Sequence, residues 1–588
     1  MTVSSLNCDQ LQAHFGELLD GATSALSPYA QLQPEFNGLL NYFAMQANSR
    51  LMLVQTPAFM TLDQWAMALF PAQSKPITCL HGNERLSVDI VEPSTELKQR
   101  DIALDPHPTS QLVCAHHLSQ SQLFGHYPSH LSNGSLQSAI ADYQPGLLWQ
   151  ANHGILAISI RDLLMQPHLW LTLWQCIEQE QFDWQQVRSG SDDLSLPPTP
   201  IHVKLLLWGN SDELEQLVQD YPQLYLQATC KCELLEEAPV DKPHIEAWLA
   251  VLFAQAGVKQ PTDRALLTWL LRQGTRRSEH QGYLALDFSF LIHLLRYTAA
   301  LSPDHRLELS HLQDCDQQLQ HSRSGEQTWS LRNYRDGHIR LDLNGLKIGQ
   351  INGLSVLESP GLSYAFGEPL RITATVQPGE GDLSDVERKA ELAGNIHAKS
   401  MMIIQGYLTR EFARDSQFPV SGTIVFEQSY HEIDGDSASL ASLVVVLSAL
   451  ANQPVDQSFA TTGAVDQIGN VLAVGGINEK IEGFYRVCQL IDVENVHSII
   501  MPQANLSQLN LSDEIVAAVE QKRLFIYPVQ HIDEAIELLF HRPAGSPGSG
   551  EGLLGLVEYR SRALFSGEYS HRRSSLFRFF KRMVKKEA

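Results

Sequence analysis

The residues best suited to chemistry are a serine and a lysine. Ser437 stands in Glu432-Ile433-Asp434-Gly435-Asp436-Ser437-Ala438-Ser439, just ahead of the apolar run 440–450. Lys480 follows 43 positions later, at the end of Gly475-Gly476-Ile477-Asn478-Glu479-Lys480. A turn of small residues that delivers a serine to the first turn of a helix brings it to unpaired backbone N–H groups and the positive end of the helix dipole. Both stabilise a developing oxyanion. The hydroxyl is a weak nucleophile until a neighbouring group takes its proton. A lysine can do this when burial beside apolar groups lowers its pKa, and such a Ser-Lys pair needs no histidine. Each residue alone has a plainer explanation, the serine as a helix cap and the lysine as a solvated charge. Lys480 is approached by an apolar strand and a Gly-Gly turn rather than by a charged face, which favours the pair.

These groups need a scaffold, and the second half of the chain has the texture of one. Gln350-Ile351-Asn352-Gly353-Leu354-Ser355-Val356, Leu370-Arg371-Ile372-Thr373-Ala374-Thr375-Val376 and Gly422-Thr423-Ile424-Val425-Phe426 read as strands, with a helix expected over 396–408. After the serine helix come Thr461-Thr462-Gly463-Ala464-Val465 and the turn Gly469-Asn470. Asn478 is expected to cap the helix that Lys480 enters.

The first half reads as α/β. Leu51-Met52-Leu53-Val54-Gln55, Ile155-Leu156-Ala157-Ile158-Ser159-Ile160 and Val203-Lys204-Leu205-Leu206-Leu207-Trp208 are apolar strands. They alternate with helical stretches over 161–177 and 212–220, the pattern of a parallel sheet with crossover helices. In a P-loop protein the first strand would end in Gly-x-x-x-x-Gly-Lys-Ser/Thr, whose amides and lysine hold phosphates. Thr56-Pro57-Ala58-Phe59-Met60 has neither glycine nor lysine, and no Gly-Lys dipeptide occurs in the chain. Ser159 and Arg161 occupy the strand end where consecutive acids would hold a metal, with only Asp162 acidic. Residues 240–325 read as all-helical and offer no catalytic constellation.

At 588 residues the chain exceeds one core, and two to four domains are expected. A formal charge of −24 argues against general nucleic-acid binding by the body of the protein. The stretch 559–588, with nine Lys/Arg against two Glu, opposes that charge. It is suited to anionic lipid, nucleic acid or an acidic surface, or to a solubilising tail. Arg542-Pro543-Ala544-Gly545-Ser546-Pro547-Gly548-Ser549-Gly550 reads as flexible linker. Eight scattered cysteines fit a reducing compartment. Cys114 with His116 and His117 has no second ligand cluster, so no metal site is expected. The first residues lack a signal peptide's basic and apolar regions, and no apolar run reaches a membrane span, so a cytoplasmic protein is expected.

Four separated motifs together resemble the Lon protease family. They are Gly394-Asn395-Ile396-His397-Ala398-Lys399, Asp434-Gly435-Asp436-Ser437-Ala438-Ser439, Thr462-Gly463, and Gly475-Gly476-Ile477-Asn478-Glu479-Lys480-Ile481-Glu482-Gly483-Phe484. The Asp-Ser-Ala-Ser form resembles the LonB-like branch. The resemblance implies a degenerate AAA+-like α/β domain over 1–239, a helical lid-like subdomain over 240–325 and a connector over 326–344. It further implies an α+β Lon-type proteolytic domain over 345–541, followed by a linker over 542–558 and the basic tail over 559–588. Ser437 matches the family's nucleophile and Lys480 its general base. Thr462 would help position the pair, and Asp434 or Asp436 could hydrogen-bond the lysine, which would also raise its pKa. Peptide hydrolysis would need no cofactor. ATP and Mg²⁺ are implied only by the family's ATPase half, and no P-loop is found here to hold them. The implied partners are protein or peptide substrates and copies of the same chain in a hexameric ring. The alternatives left open are a non-catalytic Lon-like scaffold or client-binding assembly, and ATP-driven unfolding through non-standard contacts.

Overall fold

The computed structural model describes residues 3–15, 27–60, 112–115, 118–126, 130–132, 135–137, 144–184, 198–302, 306–386, 394–413, 420–428 and 435–565, with isolated residues between. Asp434, His116, His117 and the tail from 566 onward lie outside the described residues. The chain divides into two compact units. One holds residues 17–262 and 285–296, and the other holds 1–16, 263–284 and 297–588.

The first unit is built on five strands. They are β1 (Leu51–Gln55), β2 (Leu112–Cys114), β3 (Ile155–Ser159), β4 (Lys204–Gly209) and β5 (Cys230–Glu233). Their order is β2-β3-β4-β1-β5 and every pairing is parallel. The continuous apolar runs of β1 and β3 are buried throughout except at their last residues, as a sheet covered on both faces requires. The helix expected over 161–177 is two helices, Ile160–Met165 and α1 (Pro167–Gln179). The break falls at Gln166 because Pro167 lacks an N–H and favours a helix start.

The second unit includes the helices α2 (Arg264–Arg277) and α3 (Gly325–Arg335). Its seven-stranded mixed sheet contains β6 (Gln350–Ser359), β7 (Tyr364–Pro378), β8 (Leu383–Asp385), β9 (Val420–Glu427), β10 (Phe459–Thr461), β11 (His497–Pro502) and β12 (Leu524–Val529). The order is β8-β9-β7-β6-β10-β11-β12. The long β6–β7 and β7–β9 pairs are antiparallel, while β6–β10, β10–β11 and β11–β12 are parallel. Side chains alternate between faces along a strand. Accordingly Ile351, Phe459 and Ile500 join one apolar cluster, and Leu354, Ala460 and Ile499 join the other. α4 (Asn395–Phe412) and α5 (Ser439–Ala451) belong to the first cluster. α6 (Ile477–Ile491) belongs to the second. The run Leu440–Leu450 is apolar nearly all round, so α5 is buried rather than half-exposed.

Four boundary expectations change. The stretch 240–325 is not one lid: Lys242–Ala256 lies in the first unit and α2 in the second, where Arg276 is ion-paired to α6. The expected connector 326–344 is largely the helix α3, fixed to β7 by the Tyr334 hydroxyl, which donates to Pro369 O at 2.5 Å. Residues 3–15 belong with the second unit rather than with 17–239: Leu6 N donates to Ile526 O at 2.8 Å, and Leu6 and Leu11 are core residues there. Finally, the linker reading of 542–558 ends early, because α7 (Gly552–Phe565) starts inside it. Leu553, Leu554 and Val557 recur at helical spacing and fill the α5 cluster, while Leu553 N and Leu554 N donate to Pro543 O and Ala544 O.

Candidate active site

The serine turn is held by backbone pairing just beyond the end of β10. Ser437 O accepts from Gly463 N at 2.8 Å and from the Thr462 hydroxyl at 3.3 Å. Leu440 N returns a bond to Gly463 O at 3.0 Å. Thr462 is itself fully buried and its N–H is anchored on Ile500 O of β11. Two residues after Ser437, the Ser439 hydroxyl accepts from Val465 N at 2.9 Å. The turn is therefore fixed by carbonyls, amides and two neighbouring hydroxyls, and among the described residues the half-buried Ser437 side chain makes no hydrogen bond. Gly435, at φ 114°, supplies the left-handed bend that starts it.

Ser437 lies two residues before the helix, not in its first turn, since α5 starts at Ser439. The first-turn donors expected to be free are partly spent: Ser439 N bonds Asp436 O at 2.9 Å, and Leu440 N bonds Gly463 O. The Ser439 hydroxyl and the Gly463 amide were not singled out by sequence reasoning, although both lie inside quoted motifs.

Lys480 sits in the first turn of α6 and is only 3 % exposed. Burial pulls its pKa from 10.5 down to about 8, against the opposing pull of the Asp436 and Glu479 carboxylates. Asp436 therefore links the two turns electrostatically, being next to Ser437 in the chain and one of the two charges acting on Lys480. Asp434 lies outside the described residues. Among the described residues, no hydrogen bond joins Ser437 to Lys480.

Close backbone contact sets the position of α6. Gly476 caps the helix at φ 63°, and a Cβ there would come within 2.7 Å of Val356 Cγ2. A Cβ on Gly367 of β7 would stand 2.1 Å from Glu479 O and 2.7 Å from Lys480 Cα. One on Gly483 would stand 1.9 Å from Gly367 O. Only glycines let this helix lie so close to the strand. Asn478 does not cap α6. Its Nδ2 donates to Gln508 O at 2.9 Å and its Oδ1 accepts from Asn510 N at 2.8 Å, which ties the helix to the loop after β11. His397, from the first quoted motif, is buried edge-on against Phe426.

In the other unit, the turn after β1 has its backbone committed. Thr56 N donates to Gly209 O at 2.9 Å, Pro57 has no N–H, and Met60 N closes on Pro57 O at 3.0 Å. Ser159 ends β3, and Asp162 lies in the first turn of the helix that follows. Among the described residues, no group of three or more metal-ligating side chains converges, and no helix is long and apolar enough to cross a membrane.

Comparison with known proteins covers both units. A family model described as the LonB-like AAA domain matches residues 109–225, and the Lon protease (S16) C-terminal proteolytic domain matches residues 338–542. A curated Lon protease homologue of Escherichia coli (strain K12) is 38 % identical over 452 residues, covering 74 % of this chain and 73 % of that protein. One from Haemophilus influenzae is 35 % identical over 502 residues, covering 82 % and 80 %. The archaeal Lon protease of Thermococcus kodakarensis is 23 % identical over 415 residues, covering 67 % and 60 %.

Proposed function

Since the chain belongs to the Lon protease family and carries that family's serine peptidase domain, we propose that it is an endopeptidase working through Ser437 and Lys480. The observation that carries this reading is the burial of Lys480, whose desolvation outweighs the nearby Asp436 and Glu479 carboxylates, an environment that costs stability and suits a base. In this mechanism Ser437 Oγ attacks the peptide carbonyl while Lys480 takes the hydroxyl proton. Lys480 then returns the proton to the leaving amine, and water releases the acyl-enzyme. Thr462 positions the serine through the Ser437 carbonyl. Asp436 raises the pKa of Lys480, so its carboxylate moderates the base rather than activating it.

Unfolded proteins or peptides are the proposed substrates, in a cytoplasmic homo-oligomer, with a hexameric ring the form that the family suggests. The basic tail is proposed to meet an acidic surface, lipid or nucleic acid. The nucleotide function of the AAA-like unit is proposed to be lost. Turn 56–60 offers a triphosphate no lysine and no glycine, and two of its N–H groups are already bonded. Peptide hydrolysis then needs no cofactor. The direct test is cleavage of an unfolded substrate by wild type, Ser437→Ala and Lys480→Ala. Loss of cleavage in both variants is expected, and wild-type rates in both would refute the assignment. A non-catalytic scaffold would instead keep its cellular function in a Ser437→Ala strain.

A further inference from the structure

A polar cluster outside the serine turn involves Glu479 and Glu482, which stand on either side of Lys480 in sequence. Arg276, in the last turn of α2, makes a fork onto Glu482: Nη1 donates to Oε1 at 2.6 Å and Nη2 to Oε2 at 2.9 Å. The same Nη2 reaches Glu479 Oε1 at 3.0 Å, and Nη1 also approaches Asn510 O at 3.4 Å. Glu482 Oε1 accepts a further bond from Ser512 N at 2.9 Å. These groups are largely withdrawn from water, the side-chain exposures being 27 % for Arg276, 24 % for Glu479 and 15 % for Glu482. Fork geometry of this kind is directional and strong. The two carboxylates are one helical turn apart on α6, and Lys480 lies between them in sequence.

We propose that Arg276 is a positioning residue for Lys480: by clamping Glu479 and Glu482 it fixes the first turn of α6 and offsets the carboxylate charge beside the general base. The proposal rests on the Ser437–Lys480 reading. The charges facing the site are consistent with it. Lys480 feels Asp436 from the serine turn and Glu479 from its own helix. Glu479 in turn acts on Glu279, just after α2, where Glu358 of β6 also acts. Burial alone would raise the pKa of Glu482, but Arg276, then the Ser512 N–H and Arg486 hold it below its ordinary value. Burial would lower the pKa of Arg276, and the two glutamates outweigh it, so the guanidinium stays charged. Asp316, in the later helix Leu309–Arg323, also feels Arg276. Arg276 is the basic group that bonds both carboxylates flanking Lys480, so its loss leaves their charge uncompensated beside an ammonium that must deprotonate.

The test is the pH profile of kcat/KM for peptide cleavage by the full chain, compared among wild type, Arg276→Met, Arg276→Lys, Glu479→Gln and the Arg276→Met/Glu479→Gln pair. Wild type should show an acid limb centred near the Lys480 pKa of about 8. Arg276→Met should move it upward by about one pH unit, a loss of about tenfold on the acid side. Arg276→Lys should recover part of this, Glu479→Gln should move the limb downward, and the pair should return it towards wild type. Lower activity in Arg276→Met with the limb unmoved would reduce Arg276 to a packing role and overturn the proposal. Should Arg276→Met fail to fold, Glu479→Gln decides, since an unmoved limb there also overturns it. A Ser437→Ala control that cleaves like wild type would instead refute the Ser437–Lys480 reading on which the clamp depends.

Discussion

Two turns, one in each unit, sit beside buried strands and have been put to different uses. The turn after β1 spends its backbone on itself and on β4: Thr56 N goes to Gly209 O, Met60 N to Pro57 O, and Pro57 has no N–H. The turn before α5 spends the carbonyl of Ser437 and the amides of Ser439 and Leu440, with no side-chain brace on Ser437. The strands beneath are equally apolar and equally buried, as Leu51, Val54, Ile351 and Ile500 all show. The scaffold depends on many interchangeable apolar contacts, whereas chemistry depends on a few irreplaceable groups. A sheet can therefore persist whichever use the turn above it serves.

The contrast breaks most visibly at the base. Lys480→Ala should lower kcat by about 10⁴-fold or more in a peptide cleavage assay. Lys480→Met should meanwhile raise the melting temperature at pH 7. The sign follows from the depressed pKa. The buried ammonium is charged in both folded and unfolded states below pH 8, so its desolvation cost is fully present there and fades as pH rises from about 8 to 10.5. That cost is on the order of 3 kcal/mol. A melting temperature unchanged or lowered would mean that Lys480 is stabilising where it sits, contrary to its role as a strained base.

Packing is the next largest lever. Leu447→Ala, in the middle of α5, should cost about 2–5 kcal/mol in denaturant unfolding, because the residue is fully buried. Gly367→Ala should cost about 1–3 kcal/mol and reduce cleavage as well, since the new Cβ forces Glu479 and Lys480 away from β7. A Gly367→Ala enzyme with normal kcat would show that the close approach of α6 to the strand is not what places the base. The smallest effect is expected in the other unit. Millimolar Mg-ATP should leave the melting temperature within about a degree, because a ligand that does not bind the native state does not stabilise it. A rise of several degrees would restore a nucleotide site to that unit.

The candidate serine and lysine stand out in the sequence because each sits in a compact motif of residue types suited to the proposed chemistry. The β strands were legible for the same local reason: Val420–Glu427 alternates buried and less buried residues along its whole length. Arg276 was not legible, since its partners lie 203 and 206 positions away and nothing near it signals a pair. Gly367 was hidden likewise, as a glycine in a strand does not reveal which backbone presses against it. The helix α7 was obscured by the Gly/Pro/Ser composition just before it, although Leu553, Leu554 and Val557 already had helical spacing. The placement of Ser437 ahead of α5 depended on Gly463 taking the Leu440 amide, a contact across 23 positions that helix rules do not see.

The central claim is that peptide hydrolysis by Ser437 and Lys480 persists without help from a nucleotide. Purified wild type and Ser437→Ala should be incubated with a fluorescently labelled unfolded protein, with and without Mg-ATP. The account predicts cleavage by wild type at the same rate in both conditions and none by Ser437→Ala in either. Cleavage by Ser437→Ala at the wild-type rate, or cleavage by wild type only when ATP is present, would contradict it.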